Sequence, residues 1–123
     1  MLSLLLALSF GQIIKYPPGM PSSVIEMYEE KEQKTYVGDY ELTAYIATGN
    51  ACADGVYPQV GYTVASNDSN LWHKYIEIEG YGTYYVHDTG GMATNVIDIF
   101  VGSYDEAIQF GRRSAKVYVK EGE

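Results

Sequence analysis

The sequence predicts a mainly β domain of five or six short strands and one small helix, folded as a barrel or sandwich. Three observations carry that expectation. From residue 36 to 119 the chain runs in short blocks of Tyr, Val, Ile and Gly parted by turn formers, and most of the 13 tyrosines lie there. Apolar and polar residues alternate with period 2 at 75–79 (YIEIE) and 115–120 (AKVYVK), as in strands with one buried face. One stretch, beginning at Ser103, carries a helix-start signature.

Residues 36–47 (YVGDYELTAYIA) mix aromatic and β-branched residues with Thr, which fits a first strand crossing the whole domain, with Gly38 as a bulge or bend. Turn formers cluster at 48–55, strand character resumes at 60–65, and 66–70 turns again. In 75–79 the alternation sends Ile76 and Ile78 to the core and Glu77 and Glu79 to water, and Gly80-Tyr81-Gly82 closes a hairpin onto 83–87. Period 2 then places Tyr84, Val86 and Asp88 on one face and brings Asp88 to a strand end. Residues 96–100 (VIDIF) form a further apolar strand in which Asp98 shares a face with Val96 and Phe100. Ser103 and Glu106 have capping-box spacing for a short helix ending near 111–113. Its inner face is expected to be Tyr104, Ala107, Ile108 and Gly111, with Arg112 and Arg113 complementing the negative end of its dipole. Residues 115–120 supply the last strand.

Around this domain, taken as 36–120, the chain reads as leader and linker at 1–35 and a tail at 121–123. The apolar run 2–10 (LSLLLALSF) falls short of the about 20 residues that span a bilayer, but its length suits the apolar region of a signal peptide, although no Lys or Arg precedes it. Export to the extracellular space or cell wall is the expectation; the alternative is a leader on a cytoplasmic or phage-encoded protein. Residues 16–23 (YPPGMPSS) read as an extended spacer, and 24–34, rich in Glu, as linker or a frayed helix.

The 123 residues, 46% of them hydrophobic, suffice for one modest core. With 8 basic against 16 acidic side chains the net charge is −8, which repels phosphate backbones and excludes nucleic acid as a partner. Cys52, the one cysteine, has no internal disulfide partner and reads as a small buried residue without chemistry. His73 and His87 lack HExxH spacing and a cysteine partner, and no EF-hand-like loop is present, so neither a metal nor a cofactor is expected.

The chemistry concentrates on aspartates. Asp98 lies between Ile97 and Ile99, where a charge is costly unless it reaches solvent, is paired or is neutralised. Asp88 precedes Thr89-Gly90-Gly91, a turn whose amides can hold a carboxylate, and Asp68 sits in another loop between strands.

On these residues the stretch from Glu41 to Val119, about two thirds of the chain, resembles the three-aspartate (3D) domain of bacterial peptidoglycan-cleaving proteins, among them the stationary-phase muralytic enzymes and the barrel of membrane-bound lytic transglycosylase A. The likeness rests on Asp88-Thr89-Gly90-Gly91, on Ile97-Asp98-Ile99-Phe100, and on Glu106-Ala107 leading into Phe110-Gly111-Arg112-Arg113. Leu42-Thr43-Ala44-Tyr45 is similar to the opening strand and Glu79-Gly80-Tyr81-Gly82 to the hairpin before the second aspartate. At the first aspartate, Asp68-Ser69-Asn70 replaces the usual Asp-Pro.

The resemblance implies a six-stranded double-psi β-barrel with one short helix, acting as a monomer without a membrane span on peptidoglycan glycan strands. It implies cleavage between N-acetylmuramic acid and N-acetylglucosamine with formation of 1,6-anhydro ends. Asp98 would be acid then base, Asp88 would raise its proton affinity or stabilise oxocarbenium character, and Asp68 would position the sugar. Trp72, Tyr81, Thr89, Gly90 and Gly91 would contact substrate. Two other classes compete. Asp88-Thr89-Gly90 is also the triplet of aspartic proteases, which need two such aspartates across a dimer axis, though His87 and Gly91 do not match that family. A wall-binding module without catalysis would use the same aspartates to hold the barrel together.

Overall fold

The structure is a computed structural model and describes residues 16–121, so the apolar run at 2–10 and residues 122–123 lie outside the described part. The chain divides into two units, Met1–Gln33 and Lys34–Glu123. In the first, the amides of Val24 and Ile25 bond the carbonyl of Pro21 at 3.0 and 3.1 Å and start helix α1 (Ser22–Glu32). The segment expected as linker or frayed helix is thus an 11-residue helix, with Tyr16 stacked on Tyr28. Among the described residues there are therefore two short α-helices rather than one.

The second unit is a closed barrel of six strands: β1 (Lys34–Tyr45), β2 (Thr63–Ser66), β3 (Tyr75–Ile78), β4 (Gly82–Asp88), β5 (Val96–Phe100) and β6 (Arg113–Lys120). Around the barrel they run β1-β5-β2-β4-β3-β6. Exchanging the first three strands with the last three leaves every neighbour relation unchanged. The parallel pair β1/β5 becomes the parallel pair β4/β2, and the antiparallel pairs β2/β5 and β3/β6 map onto themselves. Two interlocked, twofold-related halves make up the double-psi arrangement, and closure removes the free edges an open sheet would expose.

Local chemistry accounts for most of the elements. In β1 the register against β6 shifts between Tyr36 and Gly38, where Gly38 takes φ 143°, so the expected bulge is present. Ile76 and Ile78 are fully buried while Glu77 faces outward to Lys34 at 2.9 Å. They join Leu42, Val64, Leu71, Val86, Ile97 and Val117 in the core, each side chain contributing about 1.5–3 kcal/mol by its removal from water. β2 begins only at Thr63, because the amides of Tyr62 and Thr63 turn back on the carbonyl of Gln59.

Helix α2 (Tyr104–Phe110) is capped as its sequence demands, with Ser103 Oγ accepting from the Glu106 amide at 3.2 Å. Its inner face differs from the expectation. Tyr104 and Ile108 are 66% and 61% exposed, while Ala107 and Phe110 turn inward and Phe110 meets Tyr81 at 5.8 Å. In two turns, Tyr104/Ile108 and Ala107/Phe110 are equally good helical pairs, and only the tertiary neighbour decides between them. Arg113, but not Arg112, closes the helix, its Nε donating to the Phe110 carbonyl at 2.9 Å while Arg112 pairs with Glu41. Among the described residues no helix is long and apolar enough to cross a membrane.

The two isoleucines provide a direct test. Ile97→Ala is expected to cost about 2–5 kcal/mol of unfolding free energy in urea titrations, and Ile108→Ala less than about 0.5 kcal/mol. Equal losses would contradict the observed orientation of α2.

Candidate active site

The site is built on one rung of the barrel. Strand β2 lies between β4 and β5, and Ala65 is the register partner of Asp88 on one side and of Asp98 on the other. Asp98 in turn partners Thr43 of β1. The row Asp88–Ala65–Asp98–Thr43 therefore crosses four strands with its side chains on the outer face, since Leu42, Val64, Ile97 and Ile99 on alternate positions fill the core. Two strand spacings put the aspartate Cα atoms about 10 Å apart. The methyl of Ala65 leaves the space between them open.

A register shift explains how Asp88 reaches that row. Val64 partners Val86 and the next residue, Ala65, partners Asp88, so His87 is an extra residue on β4. The expected common face of Val86 and Asp88 does not hold at this bulge: Val86 stays in the core and Asp88 is re-aimed outward. Bulges beside functional sites commonly redirect one side chain in this way.

Asp88 and Asp98 line one cleft of about 390 Å³ together with Tyr45, Ala65, Thr89 and Gly90. Gly91 also borders it, and the 46–58 part of the β1–β2 connection forms the opposite wall. The two carboxyl groups are held differently. Asp88 Oδ2 accepts from the Tyr45 hydroxyl at 2.9 Å, and its Oδ1 accepts from the amides of Ala53 at 3.0 Å and Thr89 at 2.9 Å. Burial, then the Asp88 bond, holds the Tyr45 phenol far above its usual range, so it remains a donor. Asp98 receives one hydrogen bond, from Thr43 Oγ1 to Oδ1 at 2.8 Å. Burial raises the Asp98 carboxyl above the ordinary aspartate value; the Thr43 bond opposes this, and the charge of Asp88 adds to it. At two strand widths the aspartates do not share a proton directly, and Asp88 acts on Asp98 through its field.

The other residues singled out in the sequence lie elsewhere. Asp68 is in a neighbouring pocket of about 310 Å³ with Asn67 and Trp72, joined to the cleft through the shared wall residue Thr89. Its oxygens are occupied: Oδ2 accepts from the Tyr40 hydroxyl at 2.6 Å, and Oδ1 caps a 3₁₀ turn (Ser69–Leu71) through the Asn70 amide at 3.0 Å. Trp72 stacks on His73 at 4.5 Å and leans on the core. Tyr81 is outside the cleft, packed against the core and Phe110.

Asn67, Asp54 and His87, to which the sequence assigned no part in the site, hold the cleft in shape. Asn67 clamps the glycine turn, its Nδ2 donating to the carbonyls of Gly90 at 2.6 Å and Met92 at 2.7 Å, while its Oδ1 accepts from the Gly90 amide at 3.3 Å. His87, 1% exposed, ties the β1–β2 connection to the barrel through Asp54, both of whose oxygens lie 3.1 Å from Nδ1. A carboxylate at Nδ1 calls for the N–H there, and the other ring nitrogen, Nε2, meets Thr63 Oγ1 at 2.8 Å. Burial works against the Asp54 charge, but the Val56 amide and His87 outweigh it and keep this carboxyl below its usual range. Cys52, also buried, lies beside Asp88; burial first, then Asp88, pushes its thiol up to about 11, so it stays protonated at neutral pH.

Fold and site together define a small closed β-barrel with a two-carboxylate cleft on its outer face. No protein-family model matches the chain, and no curated protein matches it.

The Asp98 environment has a measurable consequence for stability. A carboxyl whose folded-state proton affinity is raised favours the fold when protonated and loses that contribution as pH rises through its folded value. Asp98→Asn, which keeps an acceptor for Thr43, should therefore raise the melting temperature at pH 7, and the gain should vanish as pH falls below the unperturbed value of 3.8. A melting difference that does not change with pH would contradict the burial of this group.

Proposed function

We propose that the chain is a lytic transglycosylase acting on peptidoglycan glycan strands, with Asp98 as its acid and base. The observation that carries the reading is the pairing of a half-buried Asp98, whose proton is held above the ordinary aspartate range, with a firmly bound Asp88 across the Ala65 gap. Protonated Asp98 gives its proton to the glycosidic oxygen as the bond from the muramyl C1 breaks. The carboxylate then takes the proton of the muramyl 6-hydroxyl, whose oxygen closes on C1 to form the 1,6-anhydro ring. No water is consumed, and Asp98 returns to its protonated state.

In this mechanism Asp88 does not transfer protons. Its three hydrogen bonds fix its position, and its charge favours positive character at C1 while holding the proton on Asp98. Thr89, Gly90 and Gly91 offer a rim nearly free of side chains, along which a sugar can approach the backbone. Asp68 is a supporting residue of the adjoining wall, since Tyr40 and Asn70 already use its oxygens, and Tyr81 supports the core. Trp72 is a second-pocket residue, reached only by a strand that extends past Thr89. A cell-wall substrate requires export, for which the run at 2–10 is the candidate signal.

Digestion of purified sacculi followed by mass spectrometry of the products tests the reading. Anhydro-muramyl ends are expected, with Asp98→Asn lowering the rate by about 10²-fold or more and the activity of the parent falling with rising pH. Reducing ends would mean hydrolysis, and an unchanged sacculus would mean binding without cleavage; either result overturns the proposal. So would a folded Asp98→Asn protein that releases anhydro products at the parental rate.

A further inference from the structure

A second concave site lies on the barrel, sharing no residue with the carboxylate cleft. It is a pocket of about 410 Å³ walled by Tyr62, Tyr75, Tyr85 and His73, with Lys74 and Lys120 beside them. Tyr85 is the centre of the aromatic wall. It lies 4.6 Å from Tyr75, its register partner on β3, and stacks on Tyr62 at 5.6 Å and on His73 at 6.0 Å, the last nearly parallel at 4°. The hydroxyls of Tyr62 and Tyr75 meet at 3.4 Å, so the aromatic faces carry polar groups among them.

Two features set this pocket apart. The first is backbone strain: His73 is the one non-glycine residue with positive φ among the described residues, at 59°. In that conformation the His73 amide donates to the Val86 carbonyl at 2.8 Å, the Val86 amide donates to the Lys74 carbonyl at 3.0 Å, and an exposed imidazole lies nearly parallel to the Tyr85 ring.

The second is charge. In a chain of net charge −8, the other cations of the barrel are engaged: Lys34 with Glu77, Lys116 with Asp39, Arg112 with Glu41, and Arg113 with the Phe110 carbonyl. Lys74 and Lys120, alone among the described basic residues of the barrel, have no ion pair or side-chain hydrogen bond, and they line the same pocket. Glu121 lines it too, but its carboxylate accepts from Thr35 Oγ1. Two unpaired ammonium groups near stacked rings suit a ligand that combines a flat face with an anion.

We propose that this pocket binds a pyranose ring bearing a carboxylate, the ring lying against the tyrosine and histidine faces and the carboxylate meeting Lys74 and Lys120. A pyranose offers an apolar C–H face to an aromatic ring and hydroxyls to the surrounding phenols, a match to amphipathic tyrosine that a wholly apolar ring lacks. The site is a binding site only. It stands whether or not Asp98 catalyses, and if the glycan reading is correct it is a second grip on the polymer away from the bond that is cleaved.

Amide chemical-shift titration of the full chain with single sugars tests this. N-acetylmuramic acid and glucuronic acid, which carry the carboxylate on different positions, should both shift Tyr62, His73, Lys74 and Tyr85, and N-acetylglucosamine should bind roughly tenfold more weakly. Replacing both lysines (Lys74→Gln with Lys120→Gln) should remove that preference without changing binding of N-acetylglucosamine, and added salt should act in the same direction. A response to one acid alone would assign the source of the carboxylate. Equal binding of acidic and neutral sugars, or shifts confined to the Asp88 and Asp98 cleft, would overturn the proposal. Because the Asp98→Asn protein should bind here as the parent does, failure of this site and failure of the catalytic reading are separable.

Discussion

Strand register is the constraint on which the site depends. Asp88 and Asp98 come from different strands and face each other only because β2 runs between them with Ala65 on the shared row. A slip of one residue in any of these pairings would send a carboxylate into the core, where its desolvation is not compensated. The buried side chains at alternate positions hold the register, so the hydrophobic core and the site are two faces of one arrangement. The twofold relation of the barrel halves sharpens the contrast. The rows at which the halves meet are equivalent, yet one half contributes Thr43 and Ala65 and the other Asp88 and Asp98. Acidic chemistry is thus concentrated on one half, and the other supplies a hydroxyl and a space.

The barrel sets positions, and its connections set the environment. Asp98 is on the outer face of a sheet, a place that would ordinarily leave it in water; the β1–β2 connection and the glycine turn close around it. Both are tied to the barrel by polar groups, the first by Asp54–His87–Thr63 and by the Ala53 amide on Asp88, the second by Asn67. Hydrogen bonds to charged groups such as the Asp54 and Asp88 carboxylates contribute about 1.5–3 kcal/mol each, and neutral ones such as those of Asn67 about 0.5–1.5 kcal/mol, which holds both segments without large apolar contacts. Asp88 has a double part, since the same carboxylate that raises the proton affinity of Asp98 also pins the wall of the cleft.

Local signals in the sequence were sufficient where structure is local. The alternation of Ile76 and Ile78, the bulge at Gly38 and the cap at Ser103 depend on neighbours a few residues away, and each is present. Asp98 stood out as a charge inside an apolar strand, and its half-buried position agrees with that oddity. What the sequence concealed is non-local. The extra residue at His87 breaks the period 2 of β4 and hides a buried imidazole in a strand with no outward sign of one. Whether Tyr104/Ile108 or Ala107/Phe110 faces inward depends on what lies under α2, and Tyr81 went to the core because Phe110 was there to meet it. The resemblance groups Asp68 with the other two aspartates, while its oxygens are spent on Tyr40 and Asn70.

Burial, assisted by the Asp88 charge, keeps a proton on Asp98 above the ordinary aspartate range. Carboxyl carbon NMR of the full chain, following Asp98 through a pH titration, measures it directly. A midpoint clearly above 3.8 that moves down in an Asp88→Asn protein is the expected result. A midpoint at or below 3.8 in the parent protein would contradict it.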